Sequence, residues 1–432
     1  MRSAARDSPP ALPESAHTAS ISLLHPDGVA REPGDLVVVD GKTTEVERLL
    51  SGALRPDGIA YLAGGRRART RAKRAGLDVG PLLLELGELL VPVERDALRW
   101  ALGTRAPSRR AALVRLLPAG ILGLGVSRSI ARRPRARPLA EWLHALGRGT
   151  SVVLSGETAF LIDDGGVTLA ARVEPSVPGS RTESERRALL ELGADARAAG
   201  AAVPTPLDER ELAGASLLVM TGLPGAPASR LIARRPRSRA ALVDRLASWL
   251  GPWNEATAVE RVLSPELLER KLLAPARRLE LDTPYLAALE ELAAAAAGRR
   301  VKLVAAHNDL TTANVLVEPE APLGIVDWES AERESLPLGD LFYVVADAEA
   351  AAEAFRNRRD AFLASLGPQA THERQLVARL ALDPFAADVC FHACWLAHAA
   401  NERQVTGREG GLPFLEIVRT IGGQRLRLDA AA

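Results

Sequence analysis

The sequence contains few cysteines and almost no net charge. Its 432 residues include two cysteines, Cys390 and Cys394, which excludes a disulfide framework and indicates a reducing compartment. The 55 Lys and Arg residues are balanced by 54 Asp and Glu residues, for a formal net charge of +1. That balance argues against a dedicated nucleic-acid-binding protein, so we expect no nucleic-acid partner.

Long hydrophobic runs are also missing. The least polar stretch, LLPAGILGLGV at residues 116–126, is too short to span a bilayer. A buried core segment explains it better than a segment at a membrane surface. Residues 1–20 are rich in Pro, Ser and Ala and lack the apolar core of a signal peptide, so we predict a disordered N-terminus. We expect a cytoplasmic protein with no transmembrane segment.

Residues 21–145 are predicted to form a small α/β module of unknown role. DLVVVD is typical of a buried strand, TTEVERLLSGAL of a helix, and RPDG of a turn before a second strand, IAYLA. This order loosely resembles the later half of class I methyltransferase domains. Because no glycine-rich loop follows an early strand, we expect no S-adenosylmethionine site in the module.

After this module the pattern changes from strands to helices. Residues 150–174 contain three predicted strands separated by glycine-containing turns, and a helix follows. ASLLVMTGLPG then predicts a strand that runs into a turn rich in Gly and Pro. From about residue 238 to 300, and again after residue 335, the pattern is mostly helical. The order is a small β-rich unit followed by a larger helical unit.

Polar residues concentrate between short apolar runs at residues 304–329. VKLVAA predicts a buried strand, and NVLV and GIVDW predict an antiparallel hairpin around the loop EPEAPL. Asn314 begins one hairpin strand and Asp327 ends the other, so we expect their oxygen atoms to converge as ligands for Mg²⁺. Asp309, in the loop before the hairpin, adds a carboxylate that could orient an attacking hydroxyl.

The spacing His307-x-Asp309-x4-Asn314, followed by IVDWE and PLGDL, closely resembles the aminoglycoside phosphotransferase and choline kinase-like family. The resemblance implies that Asp309 is the catalytic base, that His307 braces the loop, and that Asn314 and Asp327 hold magnesium on ATP. It also implies that Asp340, in PLGDL, supports the catalytic loop from behind. The alternative for this stretch is an Asx-rich turn that hydrogen-bonds only its own backbone.

The resemblance covers about residues 146–405 and implies an α+β, bilobal protein-kinase-like fold. A small β-rich N-lobe (146–222) and a larger, mostly helical C-lobe (223–432) would follow the small α/β module. In the N-lobe the turn that covers phosphate would be LSGETAF, with Ser155, Gly156 and Thr158. The backbone of the hinge would contact adenine, at Val219, Met220 and Thr221.

One position departs from the family pattern. Glu185 corresponds to a helix glutamate that pairs with a strand lysine contacting ATP, but the strand TLAARVE offers Arg172 instead. Arginine keeps the charge and can bind a phosphate with two N–H groups, although its fork is longer and planar. The alternative is that Arg172 is a surface charge on an edge strand.

The predicted function is therefore phosphoryl transfer from ATP, with Mg²⁺, to a hydroxyl of a small molecule. The alternative is a kinase-like nucleotide-binding module with weak catalysis and a regulatory role. Arg172 favours this alternative, whereas the presence of Asp309, Asn314 and Asp327 together favours the enzyme.

Overall fold

The computed structural model describes residues 21–24, 34–40, 54–63, 70, 73–74, 76, 78–86, 89–92, 94–104, 127–132, 151–155, 158–163, 166–175, 179–212, 215–406 and 412–424. The chain divides into two compact units. The sheet unit comprises Met1–Arg187 and Pro204–Gly225, and the helical unit comprises Ala188–Val203 and Ala226–Ala432. Predicted features at residues 1–20 and 116–126 lie outside the described residues.

The sheet unit is built on one eleven-stranded sheet with the order β1-β2-β3-β6-β4-β5-β7-β8-β9-β11-β10. The first three strands pair in parallel, and all later pairs are antiparallel. The strands are β1 (Ile21–Leu24), β2 (Gly34–Asp40), β3 (Leu54–Ala63), β4 (Asp78–Leu86), β5 (Leu89–Pro92), β6 (Ser127–Arg132), β7 (Ser151–Ser155), β8 (Thr158–Asp163), β9 (Gly166–Pro175), β10 (Pro206–Leu212) and β11 (Ala215–Thr221).

The first predicted strands are present, but the predicted turn between them is not. DLVVVD lies in β2 and IAYLA in β3, as predicted. The prediction of a turn at RPDG was wrong, because β3 already begins at Leu54. Its pairing with β2 shifts there: Gly34 pairs with Leu54, but Leu36 pairs with Ile59, so the extra residues bulge within the strand. The predicted helix TTEVERLLSGAL lies outside the described residues except for its last residue.

The sheet continues across the predicted domain boundary at residues 145 and 146. Leu89 and Leu90 of β5 pair with Ser155 and Leu154 of β7. Helix α1 (Arg95–Thr104) packs over the junction, and one buried cluster joins residues from both sides: Val91, Ala97, Leu98, Ala101, Val153 and Ile162. The predicted domain limits stay predictions, but the two parts share a sheet and a core. The methyltransferase resemblance is likewise untested.

The helical unit surrounds two small sheets. One contains β12 (Ala226–Pro227), β15 (Val315–Val317) and β16 (Gly324–Ile325), and the other contains β13 (Val259–Val262), β14 (Arg300–Ala306) and β17 (Glu332–Ser335). Helix α2 (Arg181–Ala198) starts in the sheet unit and ends in the helical unit. The later helices are α3 (Ala228–Arg234), α4 (Ser238–Thr257), α5 (Pro265–Leu268), a π-helical turn (Glu269–Leu273), α6 (Ala274–Arg278), α7 (Thr283–Ala296), α8 (Gly339–Ala352), α9 (Arg358–Leu380), α10 (Pro384–Thr406) and α11 (Pro413–Gln424).

Stacked aromatic rings form the core beneath the polar stretch. Trp249 stacks on Trp253 at 4.9 Å between ring centroids, and Trp253 meets Trp328 edge to face at 5.7 Å. Trp253 and Trp328 are fully buried. The antiparallel β-sheet followed by a mostly helical part is the α+β arrangement predicted for residues after 146. Among the described helices, none combines the length and the apolar character needed to cross a membrane.

Candidate active site

The predicted catalytic loop follows directly from the buried strand β14. We call residues 307–314 the site loop. The backbone N–H of His307 donates to Asp340 Oδ2 at 2.7 Å, and the N–H of Asn308 donates to Asp340 Oδ1 at 2.8 Å. Asp340 lies in the first turn of α8 and is buried. Both of its carboxylate oxygens are therefore used to hold the start of the site loop, the contact that the sequence predicted.

His307 is packed on a tryptophan ring and hydrogen-bonded to the backbone. Its ring is completely buried, lies edge to face against Trp328 at 5.2 Å, and places Nε2 3.1 Å from the carbonyl oxygen of Val326. Burial lowers the pKa of His307, so the ring is neutral near pH 7. Since a carbonyl only accepts, Nε2 carries the proton. This geometry supports the predicted bracing role.

Asp309 and Asn314 meet across the site loop. The Nδ2 group of Asn314 donates to Asp309 O at 2.9 Å and lies 3.2 Å from Asp309 Oδ2. Burial, followed by repulsion from the charges of Asp327 and Glu329, raises the pKa of Asp309 to about 7. The carboxyl therefore lies close to other negative charge, and a cation bound among these groups would offset that repulsion.

The hairpin places Asn314 and Asp327 at the same end, as the sequence predicted. Val315 pairs with Ile325, and the N–H of Val326 donates to Asn314 O at 3.0 Å. Asp327 follows at once, with a left-handed backbone (φ 70°) that turns the chain into the short helix Trp328–Ser330. Asp is one of the few non-glycine residues that adopts this conformation readily.

The donor set at this end of the hairpin suits magnesium. Because Nδ2 of Asn314 faces Asp309, its Oδ1 is the atom left over, and it has no hydrogen-bond partner among the described residues. An amide oxygen and the Asp327 carboxylate are hard oxygen ligands, and Mg²⁺ usually completes its shell with water and phosphate oxygens. The described residues contain no group of three His, Cys, Asp or Glu side chains able to hold a metal by themselves.

The structure reveals two site-loop contacts that the sequence analysis did not single out. Thr312 donates to Asp347 Oδ2 through its backbone N–H at 2.8 Å and through Oγ1 at 2.6 Å. Both residues are buried. A signal existed, because Asp347 lies seven residues after Asp340 and so falls on the same face of α8.

In the sheet unit, the structure brings Arg172 and Glu185 together. Arg172 Nη1 lies 2.9 Å from Glu185 Oε2, with side-chain exposures of 13% and 3%. The edge-strand alternative was wrong, because β9 lies between β8 and β11, and Arg172 pairs with Thr158 on one side and Leu218 on the other. Thr158 therefore stands beside Arg172.

The remaining residues of the predicted phosphate turn are only partly described. Ser155 pairs through its backbone with Thr158 at the end of the β7–β8 hairpin. Gly156 lies outside the described residues. The predicted position of Ser155 and Thr158 at one hairpin turn is thus observed, and their role stays a prediction.

The residues of the predicted hinge lie in an interior strand of the sheet. Val219 and Met220 are buried in β11 between β9 and β10, and the N–H of Thr221 donates to Thr205 O at 3.0 Å. Gly222 donates to Thr168 O at 2.8 Å, so the N–H groups of Thr221 and Gly222 are both bonded within the sheet unit. The contact of this backbone with adenine stays a prediction.

A model of the phosphotransferase enzyme family matches residues 151–377, which is more than half of the chain. A comparison with curated proteins finds no match. Among solved structures, aminoglycoside phosphotransferase APH(3'')-Id from Streptomyces rimosus in complex with ADP and streptomycin is 19% identical, with 56% of this chain and 88% of that chain covered and a TM-score of 0.33. Macrolide 2'-phosphotransferase MphH from Brachybacterium faecium is 18% identical, with 64% and 89% covered and a TM-score of 0.37.

A thermostable mutant of aminoglycoside phosphotransferase APH(4)-Ia is 16% identical, with 63% and 89% covered and a TM-score of 0.41. At these values the solved structures carry no residue roles to this chain. The family match confirms the predicted resemblance and the predicted enzyme class. The chain belongs to the phosphotransferase enzyme family.

Proposed function

We propose that this protein transfers the terminal phosphoryl group of ATP, with Mg²⁺, to a hydroxyl of a small molecule. The observation that carries the proposal is the site loop itself. Asn314 donates to Asp309 while its Oδ1 stays available, and the hairpin register puts Asp327 at the same end. The proposed base and the two proposed oxygen ligands thus lie within residues 309–327, which supports a shared role in phosphoryl transfer.

Each residue has a defined task in this proposal. Asp309 accepts a hydrogen bond from the acceptor hydroxyl and takes its proton as the oxygen attacks phosphorus. Asn314 and Asp327 hold magnesium, which when bound neutralises charge on the phosphate oxygens. Arg172, oriented by Glu185, contributes the positive charge that attracts phosphate. Asp340 and His307 keep the site loop in place.

The acceptor is proposed to bind in a polar cavity of the helical unit. This cavity, of about 610 Å³, is lined by α10 and by the segment 270–278, and its other wall is β17. Glu332 of β17 pairs with Ala306, three residues before Asp309. Asn308 of the site loop also donates to Ser330 O at 3.0 Å and accepts from Ser335 Oγ at 3.2 Å, so it is bonded to the chain on both sides of the lining residues Glu332 and Glu334. These contacts support the proposed place of the acceptor.

The charges of this cavity indicate the kind of acceptor. Lys271 neutralises Glu332 at 3.0 Å, and Arg261 neutralises Glu334 at 2.6 Å. Arg270 and Arg278 also line the cavity or its rim and form no ion pair with any described residue. An acceptor with an anionic or neutral polar group would fit this basic lining better than a polycation. We expect Arg278→Ala to raise the acceptor KM without changing ATP affinity.

The deciding experiment uses Asp309→Asn. We expect nucleotide affinity, measured by calorimetry, to be kept, and ADP release with the best acceptor to fall by about 10²- to 10⁴-fold, as general-base removal does. The acceptor comes from a screen of sugars, amino alcohols, nucleosides, aminoglycosides and macrolides. Asp282→Asn is the matched control, because Asp282 is exposed at the start of α7. Wild-type turnover in Asp309→Asn would refute the proposed base.

The alternative is a kinase-like nucleotide-binding module with weak catalysis. Arg172 in place of the usual lysine favours it, because one N–H of the guanidinium is committed to Glu185. Tight ATP binding by the wild type, with no acceptor raising ADP release above background, would support this alternative over the enzyme.

A further inference from the structure

Helix α8 carries a second buried carboxylate that is hydrogen-bonded to the site loop. Asp347 is 3% exposed, and a single oxygen, Oδ2, accepts from both the N–H and the hydroxyl of Thr312. Thr312 is fully buried and lies between Asp309 and Asn314 in the sequence. Hydrogen bonds to a charged group are stronger than those between neutral groups, so this is a firm attachment.

The two carboxylates of α8 hold opposite ends of one loop. Asp340 and Asp347 are seven residues apart, about two helical turns, and lie on one face. Asp340 accepts from the N–H groups of His307 and Asn308, and Asp347 accepts from Thr312. Asp309 lies between the two attachments. Its position is therefore set by a largely buried helix rather than by the loop alone.

The charge of Asp347 is compensated on its other oxygen. Arg358 Nη1 lies 3.4 Å from Asp347 Oδ1. The same guanidinium lies 5.2 Å from the ring centroid of Phe355 and 5.2 Å from that of Phe414. A buried carboxylate without a partner is costly, so Arg358 allows Asp347 to stay buried while its Oδ2 faces Thr312.

We infer that Asp347 is a positioning residue for phosphoryl transfer, which acts through Thr312 to fix the spacing of Asp309 and Asn314. The inference rests on the proposed function. The competing explanation is that Asp347 only stabilises the fold. The two differ in what they predict for the chemical step, because a small misplacement of a catalytic group lowers kcat in a protein that is still folded.

The first test changes Thr312. Thr312→Val removes the hydroxyl but keeps the shape and the backbone N–H, whereas Thr312→Ser keeps both donors. We expect kcat of Thr312→Val to fall by about 10- to 100-fold, the range that follows from a misplacement near 1 Å, with the KM for ATP unchanged. Thr312→Ser should restore most of kcat. A folded Thr312→Val enzyme with wild-type kcat would overturn the inference.

The matched control lies on the same helix. Glu349 Oε2 pairs with Arg239 Nη1 at 2.9 Å, and Glu349 is also largely buried, but no described contact joins it to the site loop. Glu349→Gln should therefore leave kcat unchanged while Asp347→Asn lowers it. An equal loss of kcat in both variants would point to a general effect on the fold and against positioning.

Hydrogen exchange gives a readout that does not depend on turnover. The amides of residues 307–314 should exchange faster in Asp347→Asn than in the wild type or in Glu349→Gln. Unchanged protection in Asp347→Asn would overturn the inference. If the wild type turns over no acceptor, the proposed function fails, and faster exchange in Asp347→Asn would still show that Asp347 holds the loop.

Discussion

Arg172 Nη1 lies 2.9 Å from Glu185 Oε2, and the two side chains are almost withdrawn from water. The pair joins an interior strand of the sheet, β9, to helix α2. A guanidinium is a planar fork, so the bond to Glu185 fixes its orientation. The glutamate thus orients the charge of Arg172.

The first prediction concerns this ion pair. Glu185→Gln should weaken ATP binding and lower thermal stability, because it leaves the Arg172 charge partly buried without its partner. Arg172→Lys keeps the charge and should leave turnover equal or raised. Calorimetric titration of ATP and thermal melts check both. The control is Glu209→Gln, whose partner Arg186 is exposed, and equal ATP affinity in Glu185→Gln and the wild type would contradict the assignment.

The second prediction concerns the metal. Asp327→Ala should remove the dependence of ATP affinity on Mg²⁺, because its carboxylate is the proposed charged ligand at the end of the hairpin. ATP is titrated into wild type and variant with and without Mg²⁺. Glu318→Ala, an exposed acid in the same hairpin loop, is the control and should behave as the wild type. Equal ATP affinities of the wild type and Asp327→Ala, both with and without Mg²⁺, would contradict the metal assignment of Asp327.

The third prediction concerns Gly222, the residue after β11. A Cβ atom at this position would lie 2.3 Å from the backbone oxygen of Val167, too close for any real contact. Gly222→Ala must therefore displace the backbone that follows Thr221, and we expect a lower melting temperature together with weaker ATP binding. Gly423→Ala is the control, since a Cβ there meets nothing within 4 Å. A melting temperature equal to that of the wild type would contradict the prediction.

The fourth prediction concerns pH. Burial, with a smaller effect of the Arg358 charge, lowers the pKa of His398 to about 4, whereas an unfolded histidine titrates near 6.5. Between these two pKa values, His398 is protonated in the unfolded chain but not in the folded chain. The stability associated with His398 is complete above about pH 6.5 and is lost as the pH falls toward 4.

The variant His398→Phe tests this relationship. The ring centroid of His398 lies 3.9 Å from that of Tyr343 and 5.3 Å from that of Phe414. Phenylalanine can keep these ring contacts, but it cannot titrate. The free energy of unfolding, measured with urea between pH 8 and pH 4, should fall less steeply with decreasing pH in the variant. Above about pH 6.5 it should change with pH in the same way in both proteins. Identical slopes below that pH would show that His398 does not contribute.

The parts of the site that were predictable from sequence are local. Three polar residues, His307, Asp309 and Asn314, follow an apolar strand and predict a loop. Two apolar runs around EPEAPL predict a hairpin. Register then follows, because antiparallel pairing leaves few ways to join such short strands. The contact of Asp340 was predicted from the family resemblance, and the backbone hydrogen bonds agree with it.

The parts that were missed depend on distant pairing. The sequences of residues 89–92 and 151–155 do not indicate that β5 and β7 are neighbours, because strand pairing depends on the context of the whole sheet. The interior position of β11 was also not predicted, because an apolar strand does not reveal whether one or both of its edges are paired; β11 has neighbours on both sides. The contact of Asp347 with Thr312 was also missed, because it depends on how α8 packs against the site loop.

The pairing of β5 with β7 has a consequence for work with fragments of this protein. A fragment beginning near residue 140 matches the family region but loses β5 and α1, and with them four of the six buried residues of the cluster around Val153 and Ile162. The backbone groups of β7 would then form an open edge, ready to accept a strand from another molecule. Self-association is the failure to expect from such a fragment, whereas a start before residue 89 keeps β7 paired and the cluster complete.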